Sequence, residues 1–497
     1  MKIVVTRPEL DTMTGRDRWL VTYAVMLGMF LAALDTTIVA TALPTIARTL
    51  DGIELYPWVV AAYSLTMTAG TPVFGRLSDR YGRRRVYLFG IAAFLAGSAL
   101  CGAARTMPQL VVFRAIQGIG AGALLPIAIT IIGDIYTVEE RARIQGLFSG
   151  VWGVASIVGP VLGGVIVNFW SWPWIFYVNL PIGAVALWVV WRGYPERPAA
   201  AEGDVDVPGA VLLVASVVLL LVSLERGSVH WAGVGASVLL GAVFVYRETR
   251  VAHPILPLEL FRNRVVAVTS ISGLLIGAAL FGSLYYIPLF VQGVRGGAAT
   301  DAGFALMPLM LSWTVASTIG GRLILRIGFR AIASVGLALL AGGFVLLTRM
   351  NPQMSVAAVQ FATALLGTGM GLAILVFVLA VQTSVPYAQR GLATSLTLFF
   401  RTIGGAIGVS LLGSLLLARL AADGFPARAV QTVLDPVRRA ALPGATLSAM
   451  QDSLASGLGT LFAVSLVLVL LALVSLRWLP AGRAVDLRAS VAPEAAE

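Results

Sequence analysis

One acidic residue lies deep inside a long run of apolar side chains near the start of the chain. Asp35 falls within residues 19–43, which are enough to cross a hydrocarbon core about 30 Å thick as a helix. A carboxylate at that depth costs on the order of 3 kcal/mol and is rarely present without a use. Burial favours the protonated acid, whereas a nearby cation favours the carboxylate. A group that alternates between these surroundings takes up and releases a proton, so Asp35 is a candidate for proton exchange.

Arg114 is the natural counter-charge for Asp35. It lies near the start of the apolar run 110–132, within about 10 Å of one membrane boundary at about 1.5 Å per residue. Asp35 lies about 12 Å from the same boundary, because the two predicted helices run in opposite directions. The two charges are therefore expected at one level. Proton coupling and a purely structural salt bridge both fit this placement.

A second group of charges follows the apolar run 58–77, in the segment GRLSDRYGRR. Its glycines permit a tight turn and close approach of helices, and its aspartate can cap a helix or pair with an arginine. Clustered arginines between apolar runs are also a signal for the cytoplasmic side. The residues of interest are Gly75, Asp79, Arg80, Gly82, Arg83 and Arg84.

Small residues dominate one predicted helix, 144–169, and would let a neighbouring backbone approach closely in lipid. A proline within it removes a helical hydrogen bond and favours a bend. An ordinary packing face explains the same pattern about equally well. The residues are Gly146, Gly159, Pro160, Gly163 and Gly164.

Two further polar residues at lipid depth, Gln117 and Arg401, are candidates for substrate contact or for structure. No carboxylate in a facing run suggests itself as a partner for Arg401, so snorkelling, contact with backbone carbonyls and binding of an anionic group all stay open. Several aromatic and sulfur side chains could line an apolar cavity, but such residues more often pack against helices or lipid. They are Tyr63, Phe281, Tyr285, Tyr286 and Met307.

The elements that must position these residues are membrane helices. The chain has 497 residues, of which 58% are apolar and 12% charged, the composition of a protein whose solvent is mostly lipid. With one cysteine, Cys101, and two histidines outside the apolar runs, no disulfide, metal site or histidine proton relay is expected. Fourteen apolar runs predict an all-α fold of fourteen spans: 19–43, 58–77, 86–101, 110–132, 144–169, 175–191, 207–224, 231–246, 265–291, 302–323, 331–347, 356–381, 392–417 and 454–476.

An internal repeat divides these spans. The segment GRLILRIGFR repeats GRLSDRYGRR, with Leu325 in place of Asp79. Three glycines and an arginine recur at nearly constant spacing, with Gly118, Gly120, Gly122 and Arg141 matching Gly367, Gly369, Gly371 and Arg390. Two homologous six-helix bundles are therefore predicted, 19–192 and 265–478, with two inserted helices and their linkers in 193–264.

Charge distribution predicts the orientation. Most of the 35 Lys and Arg residues fall in alternate segments between the runs, which places both ends of the chain, 1–18 and 479–497, in the cytoplasm. The polar stretch 418–453 is then expected outside, either as a solvated loop or as a short helix or hairpin on the surface.

Four segments give the chain a family resemblance: LDTTIVATALP from Leu34, GRLSDRYGRRRVYL from Gly75, RAIQGIGAG from Arg114, and 146–164 ending in GPVLGG. Over nearly its whole length the sequence resembles the major facilitator superfamily and, within it, the fourteen-span drug/proton antiporter family. The resemblance implies that Asp35 and Arg114 take part in proton coupling at a central cavity. It also implies a cytoplasmic gate with Asp79 as an asymmetric latch, and an antiporter motif in 146–164 that favours export.

The sequence departs from the family pattern at two positions. Ala40 stands where the family usually has asparagine, which removes a polar group near the implied proton site. Ala155 stands where the family has glycine, a small change that should still permit close packing.

The expected function is proton-driven export of lipophilic or cationic small molecules by alternating access, across a bacterial cytoplasmic membrane. The sequence has no GxxxxGK[ST] segment, so ATP is not the expected energy source, and no assembled nucleophile or carboxylate pair suggests an enzyme. No cofactor is expected, since the proton gradient supplies the energy. Expected partners are substrates, protons and the bilayer, with no nucleic acid, and with a periplasmic adaptor only if the organism has an outer membrane. Export of a physiological metabolite, lipid or siderophore is the nearest alternative, ahead of import and of a sensor without transport.

Overall fold

The computed structural model describes residues 14–50, 55–195, 206–225, 230–252, 254–297, 299–425, 432–434 and 436–479. These residues form helices joined by short turns, with no strand among them. The predicted cytoplasmic ends fall largely outside the described residues, as do 196–205 and 226–229 in the predicted linkers.

The first half contains seven helices, of which the sixth is a single turn. They are α1 (Gly15–Thr49), α2 (Tyr56–Tyr81), α3 (Arg83–Gly102), α4 (Met107–Ile135), α5 (Val138–Phe169), α6 (Trp174–Tyr177) and α7 (Asn179–Gly193). Side-chain caps fix several of their starts: Thr14 and Asp17 form a capping box at α1, and Thr137 and Glu140 form one at α5. Gly82, with φ +94°, makes the sharp turn between α2 and α3 that a residue with a Cβ would resist.

Two helices, α8 (Val207–Glu225) and α9 (Trp231–Glu248), separate the halves. The second half then contains α10 (Arg264–Leu289), α11 (Ala299–Ile327), α12 (Phe329–Leu347), α13 (Val356–Ser384), α14 (Arg390–Ala422), the short α15 (Pro436–Ala440) and α16 (Gly444–Ser475).

Eleven helices in the described part of the chain are long and apolar enough to cross a membrane. Helices α2, α5 and α9 are outside that set, although they coincide with the predicted spans 58–77, 144–169 and 231–246. The structure therefore supports a multi-pass helical membrane protein, and the count of fourteen spans stays a prediction.

The two halves repeat one packing scheme. Helix α4 packs against α2 and α3 as α13 packs against α11 and α12, and α1 packs on α5 as α10 packs on α14. Matching glycines permit matching contacts: a side chain on Gly120 would collide with Phe94 of α3, and one on Gly369 with Leu340 of α12. Gly328, with φ +92°, turns α11 into α12 as Gly82 does in the first half. The halves meet where α2 packs against α14 and α5 against α11.

The inserted hairpin is held together by polar contacts. The hydroxyl of Ser216 in α8 donates to the carbonyl of Ser237 in α9, and the hydroxyl of Ser237 donates back to Ser216. At the base of the hairpin Arg247 lies 2.7 Å from the carboxylate of Asp206, and its guanidinium holds the pKa of that carboxyl below its ordinary value. Helix α8 rests on the seam between the halves, against α2 and α14.

Most of the described residues in the predicted outer segment 418–453 are helical. Helix α14 continues to Ala422 and α16 already begins at Gly444. Polar residues extend α16 because they find partners at its start: Gln451 donates to the carbonyl of Val294, and Ser453 to the carboxylate of Asp423. Between these helices the structure describes the short helix α15, while 426–431 and 435 lie outside the described residues.

Candidate functional site

Asp35 and Arg114 form a buried ion pair between α1 and α4. Both side chains are almost completely enclosed, and Nη1 of Arg114 lies 2.5 Å from Oδ2 of Asp35. Gln117, one turn after Arg114, closes a triangle: its Nε2 donates to Oδ1 of Asp35 at 2.8 Å, and its Oε1 accepts from Nη1 of Arg114 at 2.8 Å. The helix rise alone predicted that the two charges share a level, and the structure brings them into contact.

Three other helices complete the surroundings of this pair. Nε of Arg114 donates to the carbonyl of Val59 in α2 at 3.1 Å, and the guanidinium lies 4.1 Å above the ring of Tyr63. Asn179, at the start of α7, donates to Oδ1 of Asp35 at 3.4 Å and to the hydroxyl of Ser98 in α3 at 3.0 Å. Sequence reasoning missed Asn179, although a lone amide inside the run 175–191 was a usable signal.

In this conformation both oxygens of Asp35 accept hydrogen bonds, one of them from a cation. Hydrogen bonds between charged groups are the stronger ones, and removing one partner of a buried ion pair leaves an uncompensated charge. The contacts of Asp35 and Arg114 therefore stabilise this arrangement of α1, α2, α4 and α7.

A second buried network holds the halves together at the end of α2. Asp79 accepts from the backbone N–H groups of Gly391 at 3.0 Å and Leu392 at 2.8 Å, the first residues of α14. Gln389 precedes that helix without capping it through its side chain. Asp79 thus caps a helix of the opposite half, where the positive end of the helix dipole also favours a carboxylate.

Two arginines and a second aspartate extend this network. Arg83 lies 2.6 Å from Oδ1 of Asp79 and 3.1 Å from Oδ2 of Asp134 at the end of α4. Arg390 of the second half lies 2.9 Å from the other oxygen of Asp134. Arg83 also donates to the carbonyl of Tyr387 at 2.9 Å and stacks on its ring at 4.3 Å. Asp134 was not among the predicted gate residues, although it lies just past the run 110–132 beside a predicted inner loop.

The six predicted gate residues divide into two groups. Gly75 lies where a side chain would collide with Ser395 of α14, so together with Asp79 and Arg83 it belongs to the contact between the halves, whereas Gly82 makes the turn between α2 and α3. Arg84 instead donates to the carbonyl of Trp191 in α7, and Arg80 lies 5.8 Å from the ring of Tyr81. The last two arginines therefore make contacts within the first half.

Comparison with known proteins identifies the family. A model described as Major Facilitator Superfamily matches residues 25–409. The chain belongs to the major facilitator superfamily. Multidrug transporter protein MdtP of Bacillus subtilis (strain 168) is 38% identical to this superfamily member over 410 residues, 81% of this chain and 76% of that protein. Multidrug resistance protein 3 of the same strain is 35% identical, with 95% of this chain and 98% of that protein covered.

Solved structures of the superfamily share the fold. The proton:xylose symporter XylE superposes with a TM-score of 0.63 at 13% identity, over 95% of this chain and 98% of that chain. The human organic anion transporter MFSD10 does so with a TM-score of 0.62 at 17% identity, over 92% and 100%. Membership of the superfamily makes the chain a transporter rather than an enzyme.

The motif in α5 brings this transporter's α1 and α5 close together at one glycine. A side chain on Gly159 would collide with Thr37 of α1, whose hydroxyl donates to the carbonyl of Ala155 at 3.0 Å. Ala155 is fully buried, so alanine permits the close packing there that was expected of it. Gly163 is buried, whereas a side chain on Gly164 would meet open space, so that glycine is not needed for packing in this conformation. Gly146 and Pro160 lie within α5, and their surroundings are outside what the structure describes.

A cavity of about 790 Å³ lies on the seam between the halves of the transporter. Helices α2, α8, α10 and α14 line it, mostly with apolar side chains and with a few hydroxyls from Ser64, Thr68 and Ser410. Of the predicted cavity residues Phe281 and Tyr286 lie on it, whereas Tyr63 stacks on Arg114 and Met307 is exposed. The side chain of Tyr285 lies outside the described residues. A cavity of this size and character fits a drug-sized lipophilic molecule.

Proposed function

We propose that this transporter exports lipophilic or cationic small molecules by exchanging them for protons. The relatives named for multidrug transport and resistance support drug efflux in general. The observation that carries proton exchange is the enclosed set of Asp35, Arg114, Gln117 and Asn179. In this proposal, a change in the charge of Asp35 alters the contacts among α1, α2, α4 and α7.

Alternating access follows from the two networks. In this conformation the Asp79 network ties α14 to the first half at one end of the bundle, while the large cavity lies toward the other end of α14. A proton that reaches Asp35 neutralises it and weakens its hold on Arg114, which lets the helices around the pair shift. Release of that proton on the opposite side restores the ion pair and completes the cycle.

The remaining parts of the proposal are the location and the energy source. The transporter is placed in a bacterial cytoplasmic membrane with both ends of the chain inside, and the proton gradient drives it without a cofactor. A periplasmic adaptor is a partner only in an organism with an outer membrane. Export of a physiological metabolite, lipid or siderophore is the second candidate, and the cation Arg401 near the cavity favours it if such a substrate carries an acidic group.

Flux in everted membrane vesicles with an imposed pH gradient tests proton exchange. Ethidium uptake should depend on the gradient in native vesicles and should be lost in Asp35→Asn, because the amide keeps the shape of the carboxylate but cannot exchange a proton. Glu259→Gln is the matched control, since that carboxylate is exposed at the surface, and it should transport as the native protein does. Gradient-driven uptake by Asp35→Asn at the native rate would remove Asp35 from the mechanism.

A further inference from the structure

Arg401 is a cation at lipid depth that neither network uses. It lies on α14, eleven residues after Arg390 and about 16 Å along the helix axis. The other end of α14, at Ala422, is farther still, about 30 Å away. Both distances exceed what an arginine side chain can span, so the guanidinium of Arg401 does not reach either end of its helix by snorkelling.

The guanidinium of Arg401 has no partner in the part of the chain that the structure describes. No carboxylate pairs with it and no carbonyl or hydroxyl accepts from it, whereas Arg114 has acceptors on three residues. The side chain is only partly enclosed, and it borders a void whose lining is apolar apart from one hydroxyl. The residues around the void are Gly273 and Ile276 of α10, Ile374, Phe377 and Val378 of α13, and Thr397 and Leu398 of α14.

The backbone at Arg401 is held in place by its neighbour helix. A side chain on Gly277 of α10 would collide with the carbonyl of Arg401, so the two backbones approach as closely as glycine permits. Such packing fixes the position from which the guanidinium projects. An unpaired cation held at lipid depth is costly, and that cost is offset when an anionic group pairs with it.

The site lies where the halves meet. Val378 and Leu398, which border the void, pack in the same apolar cluster as residues of the first half. Thr402, the residue after Arg401, lines the 790 Å³ cavity. The void itself measures about 10 Å³, room for no more than one water molecule, so a larger ligand reaches Arg401 only after the halves separate.

Charge balance indicates the sign of such a ligand. Asp35 and Arg114 neutralise each other within the first half, whereas Arg401 leaves a positive charge beside the cavity. We propose that Arg401 binds the carboxylate of the transported molecule, an amphipathic aromatic acid whose apolar part occupies the cavity lined by α2, α8, α10 and α14. This inference rests on the proposed export function and adds an anionic class to its substrates.

Binding to the purified full-length transporter in lipid nanodiscs tests the site directly. The probes are 2-naphthoate and 2-naphthalenemethanol, which share a ring system and differ in charge. The native protein should bind the acid about tenfold more tightly than the alcohol, and Arg401→Gln should bind both alike. Arg419→Gln is the matched control, an arginine at the exposed end of the same helix, and it should keep the preference for the acid.

One further variant and a second assay keep the outcome decisive. If Arg401→Gln fails to fold, Arg401→Lys retains the charge and should bind 2-naphthoate more weakly than native but still more tightly than the alcohol. Preference for the acid that survives in Arg401→Gln, or that is absent from the native protein, overturns the inference. Ethidium uptake by the native protein in vesicles separates the two proposals, because it reports proton exchange and does not depend on binding of the acid. Loss of the gradient dependence in the native protein instead contradicts proton exchange while leaving acid binding intact.

Discussion

The two halves use one backbone contact with different side chains. In the first half, Arg114 of α4 donates to the carbonyl of Val59 in α2 at 3.1 Å. At the matching place in the second half, Thr363 of α13 donates to the carbonyl of Ala305 in α11 at 2.9 Å. The hydroxyl of Thr363 satisfies the same acceptor without a charge. Shared helix packing therefore does not require shared charge, and the buried ion pair of Asp35 and Arg114 is a feature of the first half.

The network around Asp79 shows the same asymmetry. Helix α5, the counterpart of α14, carries its own capping box of Thr137 and Glu140. Helix α14 has no side-chain cap of its own and takes Asp79 from the first half instead. The first turn of α5 is capped within its own half, whereas the first turn of α14 is capped only while the two halves are in contact. The start of α14 thus depends on a cap from the other half, beside the ion pair that Arg390 makes with Asp134.

The largest expected effect is that of Arg114→Ala. This substitution leaves Asp35 buried without its cation, which should cost about 3–5 kcal/mol and abolish gradient-driven uptake. The matched change Thr363→Ala removes one neutral hydrogen bond and should cost about 1 kcal/mol with transport retained. Thermal unfolding of the purified variants and vesicle uptake measure both. Equal losses of stability and of uptake in Arg114→Ala and Thr363→Ala would contradict the conclusion that the charged site is confined to the first half.

Asp79→Ala should open the gate, because it removes the cap of α14 and one partner of Arg83. In a Cys101→Ser background, a cysteine at Thr394 of α14, buried beside the gate, should react several-fold faster with a water-soluble maleimide. Thr137→Ala is the matched control, since it uncaps α5 within its own half at a cost of about 1 kcal/mol. Labelling that Asp79→Ala leaves unchanged, or that Thr137→Ala accelerates equally, argues against a cross-half cap.

Glycines at close helix contacts occur in both halves, so substitutions there test whether the two halves share the same packing. Gly159→Ala would collide with Thr37 of α1, and Gly408→Ala with Ala278 of α10. Each should lower stability by about 1–3 kcal/mol through overpacking, measured as the midpoint of thermal unfolding. Gly164→Ala, which meets open space, should have almost no effect. Destabilisation by Gly164→Ala as large as that by Gly159→Ala would contradict the packing seen here.

The smallest expected effect is that of Asn179→Ala. It removes one hydrogen bond to Asp35 and one to Ser98 while leaving the ion pair intact. Stability should fall by about 1 kcal/mol, and gradient-driven ethidium uptake should fall several-fold without being abolished. Leu366, one turn after Thr363 in the second half, is a buried apolar residue, and Leu366→Ala should lower stability without altering the pH dependence of uptake.

The features that follow from regular helix geometry and from the internal repeat could be predicted from the sequence. The level shared by Asp35 and Arg114 follows from the rise per residue, and the repeat in the loops predicted the matching turns at Gly82 and Gly328. The partners of Asp79 were not predictable, because backbone N–H groups at a helix start carry no sequence signal and their proximity depends on how the halves dock. The ends of α14 and α16 were missed since tertiary contacts, such as that of Gln451 with Val294, stabilise polar helical turns.

Helix α14 links both ends of the seam in one rigid body. It is about 50 Å long at the usual rise per residue, and Asp79 fixes its first turn while Ser410, about 30 Å farther along, donates to the carbonyl of Leu224 in α8. Arg401 and Thr402 lie between these two anchors. A displacement of α14 at Arg401 would therefore act on both anchors at once.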